Sequence, residues 1–288
     1  MSLQTFLFRK MCEKSDKKRD AGLTVPPDIS PQYNLMYGDS PQWHLLDIYR
    51  PKQANGKLPV IVSFHGGGWI YGTKETYRFY CMSLAAMGFA VVNPTYRLAP
   101  EYRFPAALED MNNVFSFVLK YAEKYGFDTE NIFGVGDSSG ATGIAAYALL
   151  LSDAEYAAKL PVKPPEGLLL RGIALNCGVY SMEGRRKAFR DILPKDHFGE
   201  ALDLLDIAKH ITAAFPPCYL MTAQGDFNLK QPEMLIPALR THGVPYQCKI
   251  WGDESNPPGH VFHCNLRDPN AAAANSAETA FFKSLLVS

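Results

Sequence analysis

The chain lacks a charge bias, a long apolar run and any C-x-x-C pair. Its 288 residues carry 29 basic and 29 acidic side chains, a formal net charge of +0. With no basic stripe and no interleaved aromatics, nucleic acid is not an expected partner. The longest apolar stretch lies near Ile144–Leu151. It falls far short of the about 20 residues that span a bilayer, so membrane insertion is not expected. Met1–Phe8 hold no sustained apolar run before Arg9 and Lys10, so no secretory signal is expected. The six cysteines, Cys12, Cys81, Cys177, Cys218, Cys248 and Cys264, are scattered. They read as buried or partly buried thiols in a reducing compartment, and the expectation is a soluble cytoplasmic protein.

Two phosphate-binding motifs are also absent. Gly134-Val135-Gly136 begins like a dinucleotide fingerprint, but Ser139 stands where the third glycine is required. Gly67 and Gly72 have P-loop spacing, but Thr73-Lys74 reverses the required order of lysine and hydroxyl residue.

What is present is ordinary globular composition, 47% hydrophobic and 20% charged, in a length that suits one large α/β domain. Val60–Phe64, Ala90–Asn93, Asn131–Val135, Ile173–Cys177 and Cys218–Ala223 are short apolar runs of the kind buried on both faces of a sheet. Leu45–Tyr49 and Tyr246–Trp251 read as further strands. Helices are expected over Tyr77–Met87, from Pro105 to Gly126, over Ala141–Leu151, over Met234–Thr241 and over Ser276–Leu286. Strands alternating with helices imply a mostly parallel central sheet covered by helices on both faces. Two stretches fall outside the alternation. Residues 1–32 are expected to form an N-terminal helical segment broken by Pro26, Pro27 and Pro31, and residues 180–215 a small cap insertion.

The chemistry concentrates in Gly136-Asp137-Ser138-Ser139-Gly140, a G-x-S-x-G match between an apolar strand and a buried helix. That context makes it a nucleophile elbow, with Ser138 raised on a turn too tight for a Cβ at the flanking glycines. A serine hydroxyl needs a base, and the base needs an orienting group. Asp226 lies in the loop after a late strand, and His260 in the loop after the last one, in the chain order such an elbow requires. Asp226 also reads as a simple turn former, Asp253 is a weaker acid candidate, and His263 competes with His260. His260, His263 and Cys264 have the residue types of a metal site, but no other ligand cluster supports one. His65-Gly66-Gly67-Gly68-Trp69 follows a buried strand. Two of its N–H groups plus that of Ser139 could hold an oxyanion.

Together with Leu46–Pro51, Tyr96–Glu101 and Phe104–Asp110, these motifs resemble the α/β-hydrolase superfamily, specifically its hormone-sensitive-lipase-like esterases, over about residues 45–285. The resemblance implies an α/β-hydrolase fold and a serine esterase acting on short-acyl carboxylic esters through an acyl-enzyme. Its triad would be Ser138, Asp226 and His260, its oxyanion hole Gly67, Gly68 and Ser139, with no cofactor and no metal. It implies that His65 and Asp110 support the fold, and that the chain forms a homodimer. Acetylated sugars and plant-derived aromatic esters are candidate substrates. A serine peptidase or amidase, and a non-hydrolytic small-molecule receptor on the same fold, are the alternatives. The chain departs from the family in Asp226-Phe227-Asn228-Leu229-Lys230, commonly D-P-L-x-D, and in His260-Val261-Phe262-His263, usually H-G-F-H. Arg185, Arg186, Lys187 and Arg190 in the cap either form a solvated face or meet an acidic or sugar-linked substrate.

Overall fold

A computed structural model of the chain describes residues 2–287. One sheet holds eight strands: β1 (Ile29–Met36), β2 (Leu45–Pro51), β3 (Leu58–Phe64), β4 (Ala90–Pro94), β5 (Phe127–Asp137), β6 (Leu170–Asn176), β7 (Cys218–Ala223) and β8 (Tyr246–Trp251). Their order is β1-β2-β4-β3-β5-β6-β7-β8. The pairs β1–β2 and β2–β4 are antiparallel, and every pair from β4 to β8 is parallel.

Parallel neighbours need crossovers, and helices supply them. α2 (Lys74–Ala86) joins β3 to β4, and α3 (Ala106–Lys120) with the short α4 (Ala122–Tyr125) leads to β5. α5 (Ser139–Ser152) and α6 (Ala154–Ala157) lead to β6, α7 (Phe198–Leu204) precedes β7, and α8 (Gln231–Thr241) joins β7 to β8. α1 (Leu3–Asp20) and α9 (Ala271–Lys283) flank the sheet-forming chain. The pleat sends alternate side chains to opposite layers. Val60, Val62 and Phe64 pack with α3, α5 and α8, whereas Ile61 packs with α2 and α9. Phe133 of β5 stacks on Phe282 of α9 with ring centroids 4.6 Å apart. Burying such a ring contributes about 2–3 kcal/mol, so each layer is held chiefly by its apolar face.

Several bounds differ from the sequence reading. α2 starts at Lys74 rather than Tyr77, because Thr73 and Thr76 form a reciprocal capping box. α8 starts at Gln231, with proline in its first turn. α9 starts at Ala271, inside an alanine run that carries no amphipathic contrast. β1 was not expected at all.

Segment 180–215 holds α7 and a 3-10 turn at Ile207–Lys209. It lies against the loop after β3 and against α6: Phe189 meets Trp69 at 5.6 Å, and Tyr156 Oη donates to the Leu204 carbonyl at 2.7 Å. α1 is pinned beside it. Arg9 donates to the Ile70 and Ala99 carbonyls at 2.6 and 2.8 Å and pairs with Glu101, and Thr5 Oγ1 donates to Asp191 at 2.9 Å. No helix among the described residues is long and apolar enough to cross a membrane. The cysteines are all free thiols. Cys248, on β8, is exposed, Cys12 is partly covered and the other four are buried.

Candidate active site

The carboxyl ends of β3, β5, β6 and β7, and the chain beyond β8, converge on one spot. In open α/β sheets this is where ligands bind. β5 runs straight into α5 through Ser138, whose φ of 54° and ψ of −114° are strained for a residue with a Cβ. The strain, of order 1–3 kcal/mol, is held by neighbours on both sides. Ser138 N–H donates to the Asn176 carbonyl at 2.8 Å, and the Ser138 carbonyl accepts from Ala141 and Thr142 N–H at 3.1 and 3.3 Å. The turn leaves no room at its flanks. A Cβ on Gly136 would lie 2.2 Å from the Gly140 carbonyl oxygen, and one on Gly140 would lie 2.1 Å from that of Phe64.

Three side chains from three loops form a hydrogen-bonded line. His260 Nε2 lies 2.9 Å from Ser138 Oγ, and His260 Nδ1 lies 2.8 Å from Asp226 Oδ1. Asp226 is buried, and its side chain also accepts from Asn228 N–H at 2.8 Å and Thr222 Oγ1 at 3.1 Å. Burial pushes the Asp226 carboxyl up. The hydrogen bond and charge of His260, with donors from Cys177 and Asn228, outweigh it and leave the group below its ordinary value. An ionised Asp226 fixes the proton on Nδ1, so Nε2 is left to accept from the serine hydroxyl. The Phe227 ring lies tilted against His260 at 4.1 Å and is 75% exposed, so it stands on the solvent side of the imidazole.

The glycine loop after β3 abuts this line. Gly67 (φ +116°) and Gly68 (φ +62°) adopt backbone that side-chain-bearing residues rarely take, and a Cβ on Gly67 would meet the Tyr71 carbonyl oxygen at 2.1 Å. Trp69 N–H donates to Ser139 Oγ at 3.2 Å, tying the loop to the first turn of α5. Among the described residues, the N–H groups of Gly67, Gly68 and Ser139 donate to no protein group. The N-terminus of α5 adds the positive end of its dipole. His65 is fully buried and stacked on Tyr96 at 4.1 Å, and burial pushes it down to about 4, so it is neutral. It donates from Nδ1 to the Gly66 carbonyl at 2.8 Å and so holds the loop's shape. Asp110 is fully buried and accepts from Arg97 N–H and guanidinium and from His44, away from the serine.

The other candidates fall elsewhere. Asp253 caps an exposed turn by accepting from Ser255 and Asn256. His263 Nε2 is bonded to Asp137 and is fully buried. His260, His263 and Cys264 do not gather. Instead Cys177, Asp226 and His260 form one group and Asp137, His263 and Cys264 another, each with donor atoms within 4.8 Å. Both groups have the residue types of a metal site, and burial pushes both thiols well up, which disfavours the thiolate a metal would bind. Arg185 reaches Asn228 Oδ1 at 3.3 Å, while Arg186, which lies over Phe198, Lys187 and Arg190 are exposed.

Residues 61–263 match the family described as alpha/beta hydrolase fold. The chain belongs to the α/β-hydrolase family. This hydrolase is 32% identical over 227 residues to an arylesterase of Saccharolobus solfataricus, a match covering 76% of its own chain and 69% of that protein. It is 33% identical over 129 residues to esterase LipC of Mycobacterium tuberculosis, 44% of this chain and 32% of LipC, and so spans about a third of that relative's length. The crystal structure of an inhibited esterase B from Lactobacillus rhamnosis superposes with a TM-score of 0.87 at 25% identity, over 98% of the hydrolase and 95% of that chain.

Sequence reading missed three features of the site. They are the Cys177 thiol beneath Asp226, the Phe227 ring over His260, and the Asp137–His263 pair. Asp137, His263 and Phe227 sit inside motifs, and that is the one trace the sequence carries of these contacts.

Proposed function

We propose that this hydrolase cleaves carboxylic esters with short acyl chains by acyl transfer to water. His260 takes the proton from Ser138 Oγ as the oxygen attacks the ester carbonyl. The negative charge that develops on the carbonyl oxygen is received by the N–H groups of Gly67, Gly68 and Ser139. Loss of one such donor costs about a hundred- to a thousand-fold in rate. The imidazolium returns its proton to the leaving alcohol, and a water activated by the same His260 releases the acid. Asp226 holds the imidazole in the productive tautomer and stabilises it when charged. No cofactor or metal has a step in this scheme. We assign segment 180–215 and α1 as the walls of the approach to Ser138, because both contact the glycine loop, with Phe227 on the His260 side.

The observation that carries this reading is the unbroken line Ser138–His260–Asp226, with bonds of 2.9 and 2.8 Å, beside backbone donors that have no protein partner. The arylesterase and esterase relatives favour esters over amides as the substrate class. Acetyl esters of sugars and plant-derived aromatic esters are the natural classes we assign for trial.

The test is hydrolysis of p-nitrophenyl acetate, butyrate, octanoate and palmitate, with Ser138→Ala alongside. Turnover of the acetate and butyrate, absent in the variant, is the expected result. Asp226→Asn should lower kcat by about 10⁴ through the wrong tautomer. No turnover of any ester by folded protein would favour an amide substrate or a receptor. Activity retained in Ser138→Ala would overturn the scheme.

A further inference from the structure

Behind the serine lies a second Asp–His pair that the scheme above does not use. Asp137 immediately precedes Ser138 in the elbow, and His263 follows His260 by three residues. Both side chains are fully buried, and His263 Nε2 bonds to Asp137 Oδ1. A carboxylate can only accept, so Nε2 carries the proton.

The surroundings fix both partners. The His263 carbonyl accepts from Asn275 Nδ2 of α9 at 3.2 Å, and Tyr80 of α2 meets the His263 ring edge-on at 5.0 Å. Glu278 of α9 accepts from Tyr80 at 2.7 Å and from Asn176 Nδ2 at 2.9 Å. The backbone carbonyl of that same Asn176 holds Ser138 N–H. The elbow is therefore clamped from behind by β6 and α9.

The histidine loop is less constrained. Residues 252–264 hold one isolated bridge, Asp253 to Asn256, and one 3-10 turn, and Val261 sits at a φ of 51°. Among the described residues, two side-chain hydrogen bonds link this loop to the elbow. One is the Ser138–His260 bond itself, which must break and reform in each cycle. The other is Asp137–His263, which is sealed from solvent and takes no part in the chemistry.

We propose that the Asp137–His263 pair is a positioning tether that sets the Ser138 Oγ to His260 Nε2 distance while protons move. The proposal rests on the triad reading, because it assigns a purpose to that distance. A misplacement of about 1 Å at a reacting centre costs of the order of a hundred-fold in rate. A buried hydrogen-bonded link between the two loops resists such a drift.

The experiment compares His263→Leu and Asp137→Leu, which remove the bond, and Asp137→Asn, whose Oδ1 can still accept from His263 Nε2–H, with the native enzyme. Steady-state kinetics on p-nitrophenyl butyrate are measured together with the rate of inactivation by diethyl p-nitrophenyl phosphate. That reagent reports the reactivity of Ser138 without deacylation. In folded His263→Leu and Asp137→Leu, kcat and the inactivation rate should fall together, by about ten- to a hundred-fold, with KM within about two-fold. Asp137→Asn keeps the bond and should recover most of the loss. A fold-stabilising role alone would lower Tm and leave kcat within about two-fold well below Tm, and that result would overturn the tether.

If no variant folds, the native protein decides by nitrogen-proton NMR. The tether requires a His263 imidazole N–H that is protected from solvent exchange in the resting enzyme, and an unprotected one refutes it. Ser138→Ala in the same assays separates the two ideas. Residual activity there sinks the triad, whereas an inert Ser138→Ala beside fully active tether variants sinks only the tether.

Discussion

Glu278 is an acid with no cation bonded to it, fully buried between Tyr80 and Asn176. Burial pushes it from 4.5 up to about 7, and the charge of His263 and the Asn176 hydrogen bond oppose this only in part. The folded protein therefore keeps a proton that the unfolded chain has already released. That contribution to stability is complete below about pH 4.5 and is lost as pH rises to about 7. At about 1.4 kcal/mol per unit the loss amounts to about 3 kcal/mol. Glu278→Gln should shrink the difference in urea midpoint between pH 5 and pH 8, and an unchanged difference would refute the assignment. Two glycines make a second comparison at this scale. A methyl on Gly140 collides with the Phe64 backbone at 2.1 Å, whereas one on Gly143 meets the tip of Met111 at 2.5 Å. Backbone inside a sheet cannot yield, but a methionine can turn aside. Gly140→Ala should lose about 3 kcal/mol or fail to fold, and Gly143→Ala about 1 kcal/mol or less, by urea titration.

The elements differ in how much their residues reveal. Val60–Phe64 and Cys218–Ala223 are buried throughout, so their sequence is apolar apart from Ser63 and Thr222 and reads as strand. β1 is legible to no such rule. It lies at the sheet edge and pairs with β2 alone, most of its residues are exposed, and Pro31 interrupts it. A proline is tolerated there because an edge strand has one unpaired side. Its register shift falls between Gln32 and Leu35, where Asn34 takes a φ of 57° and donates its N–H to Asp47 at 2.9 Å. The site divides in the same way. Ser138, Asp226 and His260 stand in the loops after strands, where order along the chain suggests them, but their distances come only from the fold. Glu278 bonds to Tyr80 across 198 residues, a separation that no local pattern encodes. Attachment of α1 is likewise a matter of tertiary contact. Arg9 grips the Ile70 and Ala99 carbonyls and Glu101, so Arg9→Ala should free the amino-terminal half of α1. Limited trypsin digestion should then cut faster after Lys10 and Lys14, and an unchanged cleavage rate would show that the helix is held elsewhere.

At the scale of the whole molecule, both layers share one sheet, and the loops of the site hang from five of its strands or their extensions. We propose that residues 1–288 unfold as one unit, with 180–215 and α1 following the sheet. Circular dichroism and esterase activity should then be lost at coincident temperatures. Loss of activity well before the sheet melts would reveal 180–215 or α1 as a separately melting part. The family resemblance also points to a homodimer, which light scattering on the purified protein tests directly.

β8 closes the sheet at one side and has β7 as its only strand neighbour. Cys248, the exposed thiol among the described residues, stands on it. A maleimide-pyrene added to the native protein would therefore mark that rim ahead of the buried thiols. If two molecules ever join along it, paired pyrenes would glow at excimer wavelengths, and the sheet itself would report the encounter.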